Sequence, residues 1–365
     1  MGLELRNVSK SYRDKRVVDD VSLDVTGGEI TALFGPSGGG KTVLLRLIAG
    51  IEEPDAGAVL IDGGDVTEAP PDARGVGMAF QNYALFPHMS AYDNVASALT
   101  TRKLGSDEVR ERVERIVKLL KIDHVMGHRP RELSNGQKQR TALARALVGA
   151  PKILLLDDPL RNVDAKLRYE MRLELPNLLR RFGSTVVYVT QDYKEAMAIG
   201  SRIAVLIDGR IVQVASPAEI YDRPASVEVA RLFGDPGINL IDVTPTGDGR
   251  VTIANSQLLI GSGYAAAAGK PCVLGLRPEA LAVSTDPGGV SFPVEVQAET
   301  PLNEKSVLLL RTPEGKELLA ALPLSAAGSV AHGKAHASFA PGDALLFDRE
   351  TGLRLERGNA GGAVS

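Results

Sequence analysis

Cysteine, charge of one dominant sign and long apolar runs are all scarce in this 365-residue sequence. The lone Cys272 excludes an internal disulfide and a cysteine metal cluster. Against 42 basic residues stand 45 acidic ones, and a net charge of −3 argues against a protein built to grip nucleic acid. No stretch approaches the roughly 18 uninterrupted apolar residues that a membrane span needs. The opening Met1-Gly2-Leu3-Glu4-Leu5-Arg6 lacks the apolar run of a signal peptide. These absences point to a soluble protein of a reducing compartment, with any membrane role coming through partners. The remainder is ordinary globular material, 44% hydrophobic and 24% charged, and long enough for two domains.

The first two-thirds alternate short β-branched runs with helical patterns, which predicts an α/β domain with a largely parallel sheet. Ile30-Thr31-Ala32-Leu33-Phe34 reads as a buried strand, followed by a helix from Val43 to Ala49. Ile153 to Leu156, Thr185 to Thr190 and Ile203 to Ile207 are further strand candidates. Between them lies a helical insertion, about residues 88–150. It has Ser106 as a plausible N-cap and Val109, Val113, Ile116, Val117 and Leu120 at helical spacing. A second helix is predicted from about Asn135 to Val148, stopping before Pro151.

The texture changes near Gly234-Asp235-Pro236-Gly237, which divides the chain into 1–235 and 236–365. Beyond it, alternating runs such as Val251-Thr252-Ile253, Val294-Glu295-Val296 and Val307 to Leu310 lie between Gly, Pro and Asp turns. That spacing predicts a small all-β barrel or sandwich. Gly358 to Ser365 read as a frayed end.

Gly35-Pro36-Ser37-Gly38-Gly39-Gly40-Lys41-Thr42 satisfies G-x-x-x-x-G-K-[ST] between a predicted strand and a predicted helix. Glycines there let backbone N–H groups wrap phosphates, and the helix N-terminus adds partial positive charge. Lys41 is placed to reach the β- and γ-phosphates and the Thr42 hydroxyl to hold Mg²⁺. ATP is the expected ligand, since no guanine-selecting N-K-x-D follows. Ile153-Leu154-Leu155-Leu156-Asp157 is an apolar strand ending in an acid, the Walker B arrangement. Such a strand delivers Asp157 to the sheet edge beside the glycine loop, as a support for Mg²⁺.

Leu133-Ser134-Asn135-Gly136-Gln137 resembles the L-S-G-G-Q signature of the ABC ATPases. With the glycine loop it implies an α/β P-loop (RecA-like) ATPase domain with a helical insertion. The resemblance implies that Ser134, Asn135, Gly136 and Gln137 face the glycine loop of an opposite subunit, so that two chains close over two ATPs. It implies that Tyr12 stacks on adenine. Gln81 matches the loop that senses Mg²⁺ and touches the membrane subunits, and Leu85-Phe86-Pro87-His88-Met89 the surface that receives their coupling helices. Asp164, in Leu160-Arg161-Asn162-Val163-Asp164-Ala165, would communicate across the dimer.

The segments Gly234-Asp235-Pro236-Gly237-Ile238-Asn239-Leu240 and Leu274-Gly275-Leu276-Arg277-Pro278-Glu279 resemble the OB-type regulatory domain of carbohydrate importer ATPases, the maltose and glycerol-3-phosphate group. Polyamine and ferric-iron importer ATPases share a related tail. The implied setting is the cytoplasmic face of the inner membrane. There the chain would be peripheral to permease subunits and served indirectly by an extracytoplasmic solute-binding protein.

Two positions depart from the family pattern. Asp158 stands where a Glu normally polarises the attacking water, and Gln191 where a switch histidine is expected. A carboxylate withdrawn by one methylene is on the order of 1 Å out of place, which can cost about 10²-fold in rate. Glutamine can donate to a γ-phosphate but cannot become cationic. Signature Asn135 replaces a glycine, a milder change. The two losses favour a slow site on this chain paired with a different, competent ATPase chain; the alternative is a homodimer of modest turnover. A soluble ABC ATPase acting on DNA or ribosomes is the competing class. It is disfavoured because neither a coiled-coil insertion nor a fused second ATPase half is visible.

Overall fold

The computed structural model describes residues 2–80, 82–102, 104–161, 163–287, 289–302, 304–326, 328 and 333–358, without the side chains of residues 101, 102, 167 and 326. Most of the end read as frayed therefore lies outside the described residues. The chain divides into two compact units, Met1–Ala218 and Glu219–Ser365. The division falls ahead of the texture change near residue 235 because the intervening segment is bonded into the second unit. Val227 N donates to Gly352 O at 2.9 Å and Arg354 N to Ala225 O at 2.8 Å. The buried Arg277 guanidinium donates to the carbonyls of Tyr221 (2.8 Å), Ala230 (3.1 Å) and Phe233.

The first unit contains β1 (Leu3–Tyr12), β2 (Lys15–Val25), β3 (Ile30–Phe34), α1 (Lys41–Ala49), β4 (Ala56–Ile61), β5 (Gly64–Asp65) and β6 (Val76–Ala79). It continues with α2 (Ala91–Ala96), α3 (Ser106–Leu119), α4 (Asn135–Val148), β7 (Ile153–Asp157), α5 (Ala165–Phe182), β8 (Thr185–Thr190), α6 (Tyr193–Ile199), β9 (Arg202–Ile207) and β10 (Arg210–Ala215). The six-stranded sheet runs β10-β9-β3-β8-β7-β6 and is parallel except at β10. A separate antiparallel sheet, β2-β1-β4-β5, accompanies it. The sequence reading has no counterpart to that second sheet, although Leu3 and Leu5 alternate with Glu4 and Arg6 along β1.

Strands β3, β7 and β8 are buried at every residue, and the pleat divides their side chains between two cores. Ile153, Leu155, Val187 and Val189 join the core containing α1 and the antiparallel sheet. Leu154, Leu156, Val186 and Tyr188 join the core of the helical insertion and α5. In that insertion Val113, Ile116, Val117 and Leu120 are buried as their spacing predicts. Ser106, however, is the first helical residue of α3 and not its cap. Gly105 takes the extended cap conformation without a side-chain bond, and Asp107 and Glu108 supply the first-turn negative charge instead.

The short helix α7 (Pro217–Asp222) carries the chain across the division, and α8 (Val227–Leu232) follows. The second unit is then β-rich: β11 (Asn239–Val243), β12 (Arg250–Ile253), β13 (Ser256–Leu259), β14 (Cys272–Leu276), β15 (Ala282–Ser284), β16 (Phe292–Pro301), β17 (Lys305–Arg311), β18 (Glu317–Pro323), β19 (Gly333–Ser338) and β20 (Leu345–Asp348). All pairings among these described strands are antiparallel, in the orders β11-β14-β20, β12-β13 and β15-β19-β16-β17-β18. Asn239 ties two of these sheets together. Its Nδ2 donates to Leu276 O (3.1 Å) and Leu319 O (2.8 Å), and its Oδ1 accepts from Leu319 N (2.7 Å).

Candidate active site

The glycine loop connects β3 to α1, and its tight passage depends on two residues without side chains. A Cβ on Gly35 would stand 2.0 Å from Leu206 O, and one on Gly40 would stand 2.4 Å from Val17 O. Gly40 also caps α1 at φ 96°, in the left-handed region, with no side-chain cap bond. The first-turn N–H groups of α1 are thereby left for an anion rather than for a serine or aspartate cap. Lys41 opens the helix, is only 6% exposed, and donates from Nζ to Gly35 O (2.8 Å) and Pro36 O (2.7 Å). Its own loop thus holds the ammonium over the cleft. Burial pulls the Lys41 pKa down, opposed by the charges of Asp158 and Asp157. Gly39 N closes a turn onto Pro36 O at 3.3 Å.

The pleat of β7 decides where its terminal acid goes. Asp157 follows Ile153 and Leu155 on the face that packs α1, and Thr42 Oγ1 donates to Asp157 Oδ1 at 3.1 Å. Asp158 is the next residue, in the left-handed region at φ 45°, its N–H donating to Val189 O at 3.0 Å. Its Oδ2 lies 3.7 Å from Arg161 Nη1. Burial pushes both carboxyl pKa values up; Thr42 opposes this for Asp157, and Arg161 for Asp158. Gln191, just past β8, accepts through Oε1 a hydrogen bond from the Ser37 hydroxyl.

Val17, Gly38, Gly40, Lys41, Thr42, Val43, Asp157, Asp158, Val189 and Gln191 line one cleft of about 240 Å³. Seven of these are residues the sequence singled out. Val17, Val43 and Val189 are additions that no motif signals. This donor set fits a polyphosphate and a hard divalent cation. The start of α1, an ammonium, a hydroxyl and two carboxyls whose pKa values burial raises all line it.

Of the other expected site residues, Gly35, Pro36, Ser37 and Gly39 belong to the loop described above, and the rest lie elsewhere. Tyr12 is 42% exposed at the end of β1, with its hydroxyl donating to Glu52 and Lys10 Nζ 6.0 Å from its ring centre, and it does not line the cleft. Ser134 caps α4 in a capping box: Gln137 N donates to Ser134 Oγ (3.3 Å) and Ser134 N to Gln137 Oε1 (2.9 Å). Ser134 and Asn135 are exposed, Gly136 is buried, and none of the four signature residues lines the Lys41 cleft. Asp164 precedes α5, its carbonyl accepting from Arg168 N at 2.9 Å. Gln81 and Asn162 lie outside the described residues.

A second and larger hollow, about 520 Å³, is lined by residues including Met78, Phe80, Phe86, Ala98, Arg145 and Pro151. Here Phe86 is 43% exposed while its backbone is held by fully buried Asn94, which accepts from Phe86 N (2.7 Å) and donates to Phe86 O (3.1 Å). Arg145 of α4 donates to Ala84 O (2.7 Å) and Tyr83 O (3.1 Å) and sits 5.6 Å from the Phe86 ring centre. The sequence reading missed both anchors, because an arginine and an asparagine inside helices carry no motif of their own.

Among the described residues no helix is long and apolar enough to cross a membrane. The ABC transporter family matches over residues 18–161, from the strand lining the cleft to the segment after Asp158. The sn-glycerol-3-phosphate import ATP-binding protein of Salmonella typhi is 44% identical over 298 residues, spanning 80% of this chain and 84% of that protein. Its counterpart from Yersinia pseudotuberculosis is 39% identical over 368 residues, 97% of this chain and 99% of that protein. A dimeric ATP-binding cassette solved in a post-hydrolysis state with ADP and phosphate shares 32% identity. It covers 59% of this chain and 98% of its own, with a TM-score of 0.55. None of these findings supports pairing with a different ATPase chain. With a glycine loop, a buried acid pair and a signature helix in matching order, this chain belongs to the ATP-binding proteins of ABC importers, an ATPase family.

Proposed function

We propose that the chain is the motor of an importer for a sugar, polyol or related small solute such as sn-glycerol 3-phosphate, working at the cytoplasmic face of the cell membrane. ATP binds along the α1 N-terminus, with Lys41 at its β- and γ-phosphates and with Thr42, Asp157 and Gln81 as the Mg²⁺ side of the site. The cation lowers the charge barrier to attack on the γ-phosphate. Asp158 orients the attacking water and Gln191 donates to the γ-phosphate. Tyr12 reaches the adenine when the nucleotide is in place.

The observation that carries this reading is the division of labour between two surfaces. Lys41 and the acid pair form one cleft, whereas the Ser134 capping box is exposed and lies outside it. A helix start rich in N–H groups and a hydroxyl suits a γ-phosphate, so a neighbouring subunit supplies it in trans, and Asp164 links the two sites. Closure of that pair moves the groove around Phe86, where the permeases' coupling helices dock across Gln81–Met89. Asp158 and Gln191 make hydrolysis slow at the site built on this loop.

Reconstitution with its permeases and solute-binding protein tests this. The expected result is ATP turnover stimulated by the loaded binding protein and accompanied by uptake. Turnover by the pure chain alone in that system means that this chain supplies both halves. A system silent until a second ATPase is added means that the pair is unequal. No stimulation by any importer component ends the transport reading.

A further inference from the structure

Glu195 is a fully folded-in carboxyl, 2% exposed, that the hydrolytic roles above leave unused. The alternation of β8 explains what it meets. Val187 and Val189 point to the α1 core, so Tyr188 and Thr190 point to the opposite face. There α6 packs with Glu195, Ala196 and Ile199 inward. The Tyr188 and Thr190 hydroxyls both donate to Glu195 Oε2, each at 2.9 Å. With its hydrogen committed to Glu195, the Thr190 oxygen accepts from Asp192 N at 3.0 Å. Gln191 is the residue between Thr190 and Asp192, and its side chain reaches Ser37 of the glycine loop.

We propose that Glu195 is a positioning residue for ATP hydrolysis, holding from the interior the Thr190–Asp192 turn that presents Gln191 to the cleft. This rests on the hydrolysis reading above and adds a lever to it. Burial pushes the Glu195 pKa up to about 7, opposed by the hydrogen bonds from Thr190 and Tyr188 and reinforced by the charges of Asp192 and Asp158. These four residues face it from β8, from the start of α6 and from the end of β7. Arg172 of α5 lies instead 3.9 Å from the Asp192 carboxylate. As a carboxylate, Glu195 accepts both hydroxyls. A neutral carboxyl oxygen is a weaker acceptor than a carboxylate oxygen, so protonation weakens both bonds and loosens the grip on Thr190. The turn therefore tightens as pH rises through neutrality.

The test measures ATP turnover of the full chain from about pH 5.5 to 9, with affinity for a fluorescent ATP analogue followed in parallel. Wild type is expected to gain turnover through an inflection near neutral pH without a matching change in affinity. In Glu195→Gln that inflection disappears while the fold is kept. Glu195→Ala lowers turnover roughly tenfold or more, yet costs nothing further in a chain already carrying Gln191→Ala. Losses that multiply in the double variant, or an unchanged pH profile in Glu195→Gln, overturn the positioning role alone. A well-folded wild type with no turnover at any pH, even with its importer partners and a second ATPase present, sinks the hydrolysis reading and this role together.

Discussion

The strands of the two units bury their residues in different ways. In the first unit β3, β7 and β8 hide every side chain, whereas β11 and β17 of the second alternate buried positions with partly or fully exposed ones. A strand covered on both faces has no solvated side on which to leave a polar residue. Polar groups at its end are therefore desolvated together, and Lys41, Asp157, Asp158 and Glu195 are all buried around the tips of these three strands. In the second unit the buried polar residues include Asn239 and Arg277, which give their donors to backbone carbonyls. The first unit has such clamps too, Asn94 and Arg74 among them, but adds buried charge concentrated around a cleft.

That contrast breaks most sharply at Lys41. Lys41→Ala should lower ATP turnover by about 10²–10³-fold, since it removes the cation held above the cleft. A folded variant that keeps its turnover places the chemistry elsewhere. Glu195 yields the next largest effect, on stability in addition to its effect on rate. A buried carboxyl with a raised folded pKa costs nothing where both folded and unfolded states hold the proton. The cost begins as pH rises past the ordinary 4.5 and is complete above about 7. Glu195→Gln should therefore stabilise the fold by up to about 3 kcal/mol at pH 8, a gain that shrinks steadily toward pH 5. Denaturant unfolding of both proteins at the two pH values reads the difference.

A clamp should behave in the opposite manner. Asn239→Ala should destabilise the second unit by about 2 kcal/mol, with the Leu319 amide exchanging faster and ATP affinity unmoved. Loss of nucleotide binding in that variant would erase the distinction between the units. The smallest effect belongs to the cleft's two departures. Asp158→Glu with Gln191→His should raise turnover about tenfold if distance to the reacting atoms is the defect, as steady-state kinetics will show.

Much of the site was legible because motifs report backbone requirements. Gly35 and Gly40 are glycines since a Cβ at either would collide with a carbonyl, and α4 begins at Asn135 because Ser134 and Gln137 form a reciprocal cap. Periodicity likewise found the inward residues of α3, yet it misjudged the start of that helix, where a glycine in extended conformation did the work expected of Ser106. The antiparallel sheet went unread because it joins β1 to β2 and to β4 from a separate segment, although Leu3 and Leu5 alternate with Glu4 and Arg6. Arg145, Asn94 and Glu195 were invisible for a different reason. Arg145 and Asn94 act through backbone groups, which have no letter in the sequence, and Glu195 through two hydroxyls whose facing is set by the packing of β8.

The sequence alone determined the chemistry on offer: a glycine loop ending in Lys41 and Thr42, an apolar strand delivering Asp157, and a capped helix opening at Ser134. Those features are local, set by φ, by alternation and by hydrogen bonds three residues apart. Only the tertiary structure decided that Asp157 turns toward Thr42 while Tyr188 and Thr190 turn toward Glu195. Side-chain direction on a strand buried on both faces depends on which helix covers each face, and that is fixed by packing across the whole sheet.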